Sequence, residues 1–257
     1  MLKLRPAVTA CGVLLLCAAS GQALAIPERA ADTPEQLLAQ LRSNTSGQLV
    51  DTVISSAGYR ILHSRGGEPL LQDNNADTPV QRAQNFLSIY GPLMGVKDPL
   101  ADLLVARSSN DGAGNTHIHL NQVFNGVPVL GARLVVHMNK LGVTGVNGVF
   151  VKNLEGTSTE PKIARNDAGS LAVMLARKRY ADSDGKLNIR VESNRLVVYR
   201  SDILSKRQPQ AQNYLAYEIV VGAGPGTGVR ERYILDAASG AVINRIDGIQ
   251  SLHNREI

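Results

Sequence analysis

Five histidines, at positions 63, 117, 119, 137 and 253, are the side chains of this 257-residue chain best suited to ligating a metal or moving a proton near neutral pH. A zinc-peptidase centre needs two of them one helical turn apart with a glutamate between, so that two imidazoles and a base face one ion. Here the histidines precede Ser64, Ile118, Leu120, Met138 and Asn254, and neither that order nor its reverse occurs. His117 and His119 lie two apart in a segment of strand-like alternation, with His137 opposite on a returning strand. Three imidazoles so placed could hold a metal, but no carboxylate accompanies them and a polar sheet face explains the spacing, so no metal ligand is assigned. The nucleophile classes are equally bare: there is no Gly-x-Ser-x-Gly elbow, and both cysteines, Cys11 and Cys17, fall in the leader described below. Ser183-Asp184-Gly185-Lys186 matches Ser-x-x-Lys, but Asp-Gly marks a turn. The glycine-rich run Gly222 to Gly228 leads into a strand, with no Lys-Ser/Thr after it, and reads as a hairpin loop. Catalytic and cofactor-binding residues are therefore assigned as none.

The elements that would position these residues begin after a secretory leader over 1–25: Lys3 and Arg5, an apolar stretch from Ala7 to Ala19, and a small-x-small cleavage site at Ala23-Leu24-Ala25. No apolar stretch reaches the roughly 20 residues that span a bilayer, so no membrane anchor is expected and the mature chain is placed outside the cytoplasm, secreted or periplasmic. Net charge is +5, falling to +3 without the leader, and the basic residues are scattered without an aromatic platform, which argues against a nucleic-acid partner. With no tryptophan and three phenylalanines, the core must be aliphatic.

Thr33-Pro34-Glu35-Gln36 and Thr78-Pro79-Val80-Gln81 share a helix-start grammar of hydroxyl cap, proline and a glutamine able to reach back. The first helix is predicted to run through Arg42. The second buries Ala83, Phe86, Leu87 and Tyr90 and ends at Gly91-Pro92. Leu49 to Ile54 and Tyr59 to Leu62 read as extended segments, and Leu103 to Val105 as a strand. His117 to Phe124 alternates as a half-buried strand, Asn125-Gly126 supplies a type I′ turn, and Val127 to Met138 returns, with Pro128 at an edge or bulge and Gly131 at a bulge. A glycine-interrupted strand over Val143 to Val151 precedes a linker at 152–167. Asp167 is expected to cap a helix from Ala168 to about Tyr180, with Leu171, Met174, Leu175 and Lys178 along one face at i, i+3, i+4 and i+7. Strands over Arg195–Arg200, Tyr214–Val221, Arg230–Leu235 and Ala241–Ile246 complete an α+β layer.

The run Gln122-x-Phe124-Asn125-Gly126-Val127-Pro128-Val129-x-Gly131-Ala132 resembles the core motif of the fungalysin/thermolysin propeptide domain. The order of helix, Leu93-x-Gly95-Val96-x-Asp98-Pro99 connector, strand and hairpin is similar to that family as well. Asn213 to Val221 and Tyr233 to Ile243 resemble the PepSY module that follows it in prosegments of secreted thermolysin-like zinc metallopeptidases. The resemblance implies an α+β chain of two consecutive small domains, each an antiparallel sheet packed with one main helix: an N-terminal segment over 26–75, a propeptide-like domain over 76–155, a PepSY-like domain over 156–248 and a tail over 249–257. It implies a folding chaperone and inhibitor, without catalysis of its own, that partners a zinc metallopeptidase domain in cis or in trans. Ile249, Gln250, Ser251, Leu252 and His253 would run into that partner's cleft, and Gln122, Asn125, Gly126, Val127, Pro128, Val129 and Gly131 would be structural. The sequence departs from the family where it stops, at Ile257, before any catalytic domain. Three readings follow from that: a prosegment, the N-terminal part of a metalloendopeptidase precursor, or a free-standing extracellular binding module.

Overall fold

In the computed structural model, which describes residues 32–45, 48–54, 58–72, 78–181, 186–204 and 211–248, two threonines open the first two long helices in the same way. Thr33 precedes α1 (Pro34–Asn44) and Thr78 precedes α2 (Pro79–Met94). Each hydroxyl accepts from the backbone N–H three residues on, and Gln36 and Gln81 accept from the N–H of the cap residues. Both capping boxes, with proline at the helix start, match the expected grammar. The second helix runs further than expected. It passes Gly91-Pro92 and ends at Gly95 (φ 94°), where the N–H groups of Gly95 and Val96 donate to the carbonyls of Pro92 and Gly91. Pro92 lacks the N–H of one i→i−4 bond, a loss confined to the last turn, and the Val96-to-Gly91 bond closes a Schellman ending. The connector contains a helical turn the sequence reading did not foresee, α3 (Pro99–Asp102), capped by the Asp98 carboxylate, which accepts from Leu100 and Ala101.

Seven strands follow or interleave these helices: β1 (Leu49–Val53), β2 (Tyr59–Ser64), β3 (Leu71–Gln72), β4 (Leu103–Asn110), β5 (Thr116–Phe124), β6 (Val127–Met138) and β7 (Gly142–Val149). They lie in the order β1-β2-β7-β6-β5-β4, all antiparallel, with β3 also on β7. Ala83, Phe86, Leu87 and Tyr90 of α2 pack, as expected, on Ile118, Leu120, Leu134 and Val136 of the sheet, and Leu37 and Leu41 of α1 join the same core. Each such leucine or phenylalanine contributes about 1.5–3 kcal/mol on burial. Arg60 of β2 ties sheet to helix, donating to the Leu93 carbonyl while its guanidinium makes two 2.8 Å bonds to Asp51.

The β5–β6 turn has Asn125 at φ 47° and Gly126 at φ 79°, the type I′ geometry expected. Past the turn Val123 pairs with Pro128 and then Asn121 with Arg133, so four residues of β6 face one of β5. Gly131, at φ 78°, sits within this irregularity and redirects the strand.

The second half comprises α4 (Arg165–Arg179), β8 (Arg190–Arg200), α5 (Ser201–Leu204), β9 (Asn213–Gly222), β10 (Arg230–Asp236) and β11 (Val242–Asp247). β8 to β11 form an antiparallel meander. It is not a separate sheet: Val129 of β6 pairs in parallel with Val198 of β8, joining eleven strands in one open, mainly antiparallel sheet of an α+β fold. Its outermost strands are β1, β4 and β11, which expose Val53, Leu104 and Val242. Two boundaries move relative to the sequence reading. β7 ends at Val149 and α4 begins at Arg165, so the connector is 150–164, and β8 starts at Arg190 rather than Arg195.

The cap and buried face of α4 also differ from expectation. Ala164, with no side-chain cap bond, holds the cap position, while Asp167 sits in the first turn, where its charge suits the helix dipole. The buried stripe is Ala168, Ala172 and Ala176 with Gly169, and Met174 is 57% exposed. Small side chains let this helix lie close to the sheet, where Tyr217, Tyr233 and Leu235 supply the volume that a leucine face would have supplied.

A Cβ at Gly126 would meet nothing within 4 Å, so backbone strain is the whole cost of a β-branched side chain there. Gly126→Val should lower stability by about 1–3 kcal/mol in denaturant unfolding. An unchanged midpoint would contradict the turn assignment.

Candidate functional site

Gln122 holds the hairpin to the chain that follows it. Its side chain, 3% exposed, donates through Nε2 to the Val151 carbonyl and accepts at Oε1 from the Val151 N–H, both at 2.8 Å. One buried amide thus satisfies both backbone groups of a residue outside any strand. Around it Val129 and Ala132 pack with Val151 and Leu154, flanked by Phe124 and Val127. The structure therefore brings Gln122, Val127 and Val129 into contact with the connector, and leaves Asn125, Gly126, Pro128 and Gly131 exposed along the hairpin. Between the hairpin, the connector and the α2–α3 turn lies a cavity of about 330 Å³, lined by Gly95, Val96, Gln122, Phe150 and Val151 among others. An exposed Lys97–Glu155 ion pair (2.8 Å) crosses its rim. Their mutual hydrogen bond raises the lysine pKa and lowers that of the carboxyl. Among these lining side chains no nucleophile is paired with a base. Ile249, Gln250, Ser251, Leu252 and His253 lie outside the described residues.

His63, His117, His119 and His137, the histidines among the described residues, fall on the sheet face opposite α1 and α2. His117 and His137 are register partners, their Nδ1 atoms 2.8 Å apart and their rings edge-on. Nε2 of His117 faces Asp111 Oδ2 at 3.4 Å, and Nε2 of His137 bonds Asn147 Oδ1, whose amide in turn donates to the Tyr59 hydroxyl at 2.7 Å. His119 stands apart, against Ser109. Among the described residues no three His, Cys, Asp or Glu side chains are arranged to share an ion. Burial pushes His137 and His119 below the usual histidine pKa, and the Asn115 amide and N–H hold the Asp111 carboxyl at about 2.

Sequence reasoning passed over two buried carboxylates in the second half. Glu231, fully buried, accepts from Arg179 (2.7 Å), Arg245 (2.8 Å), Tyr180 (3.2 Å) and Tyr233 (2.5 Å). Glu218 is held by Arg195 and Arg232. Burial, together with bonding to an ionised carboxylate, raises the Tyr233 pKa. The available signal was a lone acid inside an apolar strand, as in Ala216-Tyr217-Glu218-Ile219-Val220.

Comparison with known proteins falls on the hairpin. Residues 101–150, from the last turn of α3 to the end of β7, match the Fungalysin/Thermolysin Propeptide Motif. The chain carries that propeptide motif. In sequence it resembles the prosegment of thermolysin-like metallopeptidases: it is 30% identical over 141 residues to a thermolysin of Alicyclobacillus acidocaldarius, covering 52% of this chain and 23% of that protein. It is 28% identical over 155 residues to the thermostable neutral protease NprT of Geobacillus stearothermophilus (58% and 26%). It is 29% identical over 184 residues to a transglutaminase-activating metalloprotease of Streptomyces mobaraensis (70% and 21%). The chain thus spans about a quarter or less of the length of these relatives. The Bacillus megaterium YpeB C-terminal domain aligns with 84% of this chain and 97% of its own at 15% identity, with a TM-score of 0.36.

Gln122→Leu keeps the volume but strands the buried N–H and carbonyl of Val151, and should cost about 2–4 kcal/mol by chemical denaturation. Stability should also depend on pH. His137 and His119 have folded-state pKa values below the ordinary histidine value of about 6.5, so their contribution is complete above pH 6.5 and is lost as pH falls through the lower folded values. Asp111 adds a second loss between pH 3.8 and about 2. Unfolding followed from pH 8 to pH 2 should show both declines, the first of them absent from a His119→Gln/His137→Gln double variant.

Proposed function

We propose that this chain is a prosegment that chaperones the folding of a thermolysin-like zinc metallopeptidase domain and restrains it until released. The observation that carries this reading is the placement of the propeptide motif, residues 101–150, on the hairpin sheet that α2 and the Gln122 bonds hold rigid. A β-rich protease domain folds slowly because distant pairings must form before they stabilise anything, and a preformed partner that binds only the native state favours it by mass action. Residues 76–155 form the propeptide-like part of this scheme. Residues 156–248, with α4 over the β8–β11 meander, act as a PepSY-like module, a reading supported by the runs at Asn213–Val221 and Tyr233–Ile243. Gln122, Asn125, Gly126, Val127, Pro128, Val129 and Gly131 have structural roles, and the chain itself performs no hydrolysis.

The segment from Ile249 to His253 is proposed to enter the partner's cleft. Secretion follows from the leader at 1–25, and no helix among the described residues is long and apolar enough to cross a membrane. A second reading, the N-terminal part of a metalloendopeptidase precursor, is favoured by relatives that are themselves proteases and extend well beyond the matched region.

The purified chain should inhibit the catalytic domain of a thermolysin-like peptidase and speed its recovery from denaturant. Deleting residues 250–257 should weaken inhibition more than it lowers the melting temperature. Equal inhibition by the shortened chain would remove the tail from the mechanism, and chelator-sensitive peptide hydrolysis by the chain alone would overturn the proposal.

A further inference from the structure

We propose that His117 and His137 form a binding site for a divalent first-row transition metal ion, Cu²⁺ in preference to Zn²⁺, on the helix-free face of the first sheet. The strand period puts both rings on that face, because their neighbours Ile118, Val136 and Met138 are buried beneath the helices. Pairing in register then sets the two Nδ1 atoms 2.8 Å apart.

The hydrogen bonds outside the pair fix its protons. Asn147 donates through Nδ2 to the Tyr59 hydroxyl, which turns its Oδ1 toward His137, so Nε2 of His137 donates. Asp111 presents only acceptor oxygens to Nε2 of His117, at 3.4 Å, which favours a proton on that nitrogen. With both outer nitrogens protonated, two neutral rings aim lone pairs at each other across a hydrogen-bond distance. A cation between the rings, a metal ion or an extra proton, satisfies that contact.

The arrangement also suits a metal on three further counts. Histidine ligands are oriented by donating their second N–H to a carboxylate or carbonyl, and Asp111 and Asn147 already take those parts. Affinity of nitrogen donors for divalent first-row ions peaks at Cu²⁺, which sets the preference over Zn²⁺. Further coordination positions open onto a cavity of about 300 Å³, lined by His63, Arg65, Asn115, His117, His137 and Asn139 among others, with room for water ligands. Of the charges near the pair, Asp111 favours a cation and Arg65 opposes one. Two protein ligands predict a modest affinity, and because the ion would bridge β5 and β6 it should stabilise the folded state.

The test uses the full chain with Cys11→Ser and Cys17→Ser throughout, titrated with CuCl₂ and ZnCl₂ at pH 7.5. Paramagnetic resonance of the copper form should show coupling to two imidazole nitrogens. The melting temperature should rise with metal, more for copper than for zinc. His117→Gln and His137→Gln should each abolish the two-nitrogen signal and the melting shift. Asp111→Asn, at an exposed turn, should keep the fold and weaken copper binding about 10–100-fold. A missing two-nitrogen signal, its survival in His137→Gln, or unchanged affinity in Asp111→Asn would overturn the proposal.

Discussion

A single strand, β6, has to satisfy two different neighbourhoods, and the fold depends on its doing so. Over Arg133 to Met138 it lies between β5 and β7, and it buries Leu134, Val136 and Met138 under α2. Over Val129 to Ala132 it turns to β8, and Val129, Leu130 and Ala132 enter clusters with Val198, Val197 and Tyr199. Gly131, within the second stretch, turns the strand from one neighbourhood to the other with a backbone conformation that few residues adopt readily. A slip of one residue on either side would exchange inward and outward faces for that half alone, so the bulge sets two registers together.

The two halves are stabilised differently. The first relies on aliphatic burial beneath two capped helices. The second combines a small-residue helix interface with carboxylates that are buried and fully bonded. Glu231 draws Arg179 from the end of α4 and Arg245 from β11 onto β10, so three elements meet at one charge. Such groups add little net stability, because removing them from water costs about as much as their bonds return, but they strongly penalise any arrangement that leaves them unpaired. Their contribution is to alignment.

Much of this was legible in the chain. The Thr-Pro-x-Gln starts, the Asn125-Gly126 turn and the periodic Ala83, Phe86, Leu87 and Tyr90 carry their local physics openly, and each appears where expected. What the sequence hid depends on partners far along the chain. The stripe of Ala168, Ala172 and Ala176 gives a weak apolar signal, and only the tyrosines of β9 and β10 explain why small residues face inward. Gly91-Pro92 reads as a stop, yet the bonds made by Gly95 and Val96 carry the helix past it. The candidate site was half visible. Its residue types were plain at the hairpin, and His137 stands opposite His117 as expected, but the reach of Gln122 to Val151 is a product of register.

An open sheet keeps its outer edges. β1, β4 and β11 have no further described strand beyond them, and Val53, Leu104 and Val242 lie on those strands at 64%, 56% and 46% exposure. Unpaired main-chain groups beside solvent-facing aliphatic side chains are a template for strand addition, and another copy of the same polypeptide can supply the strand. A companion chain laid along such an edge would complete its pairing and cover its aliphatic side chains in one step.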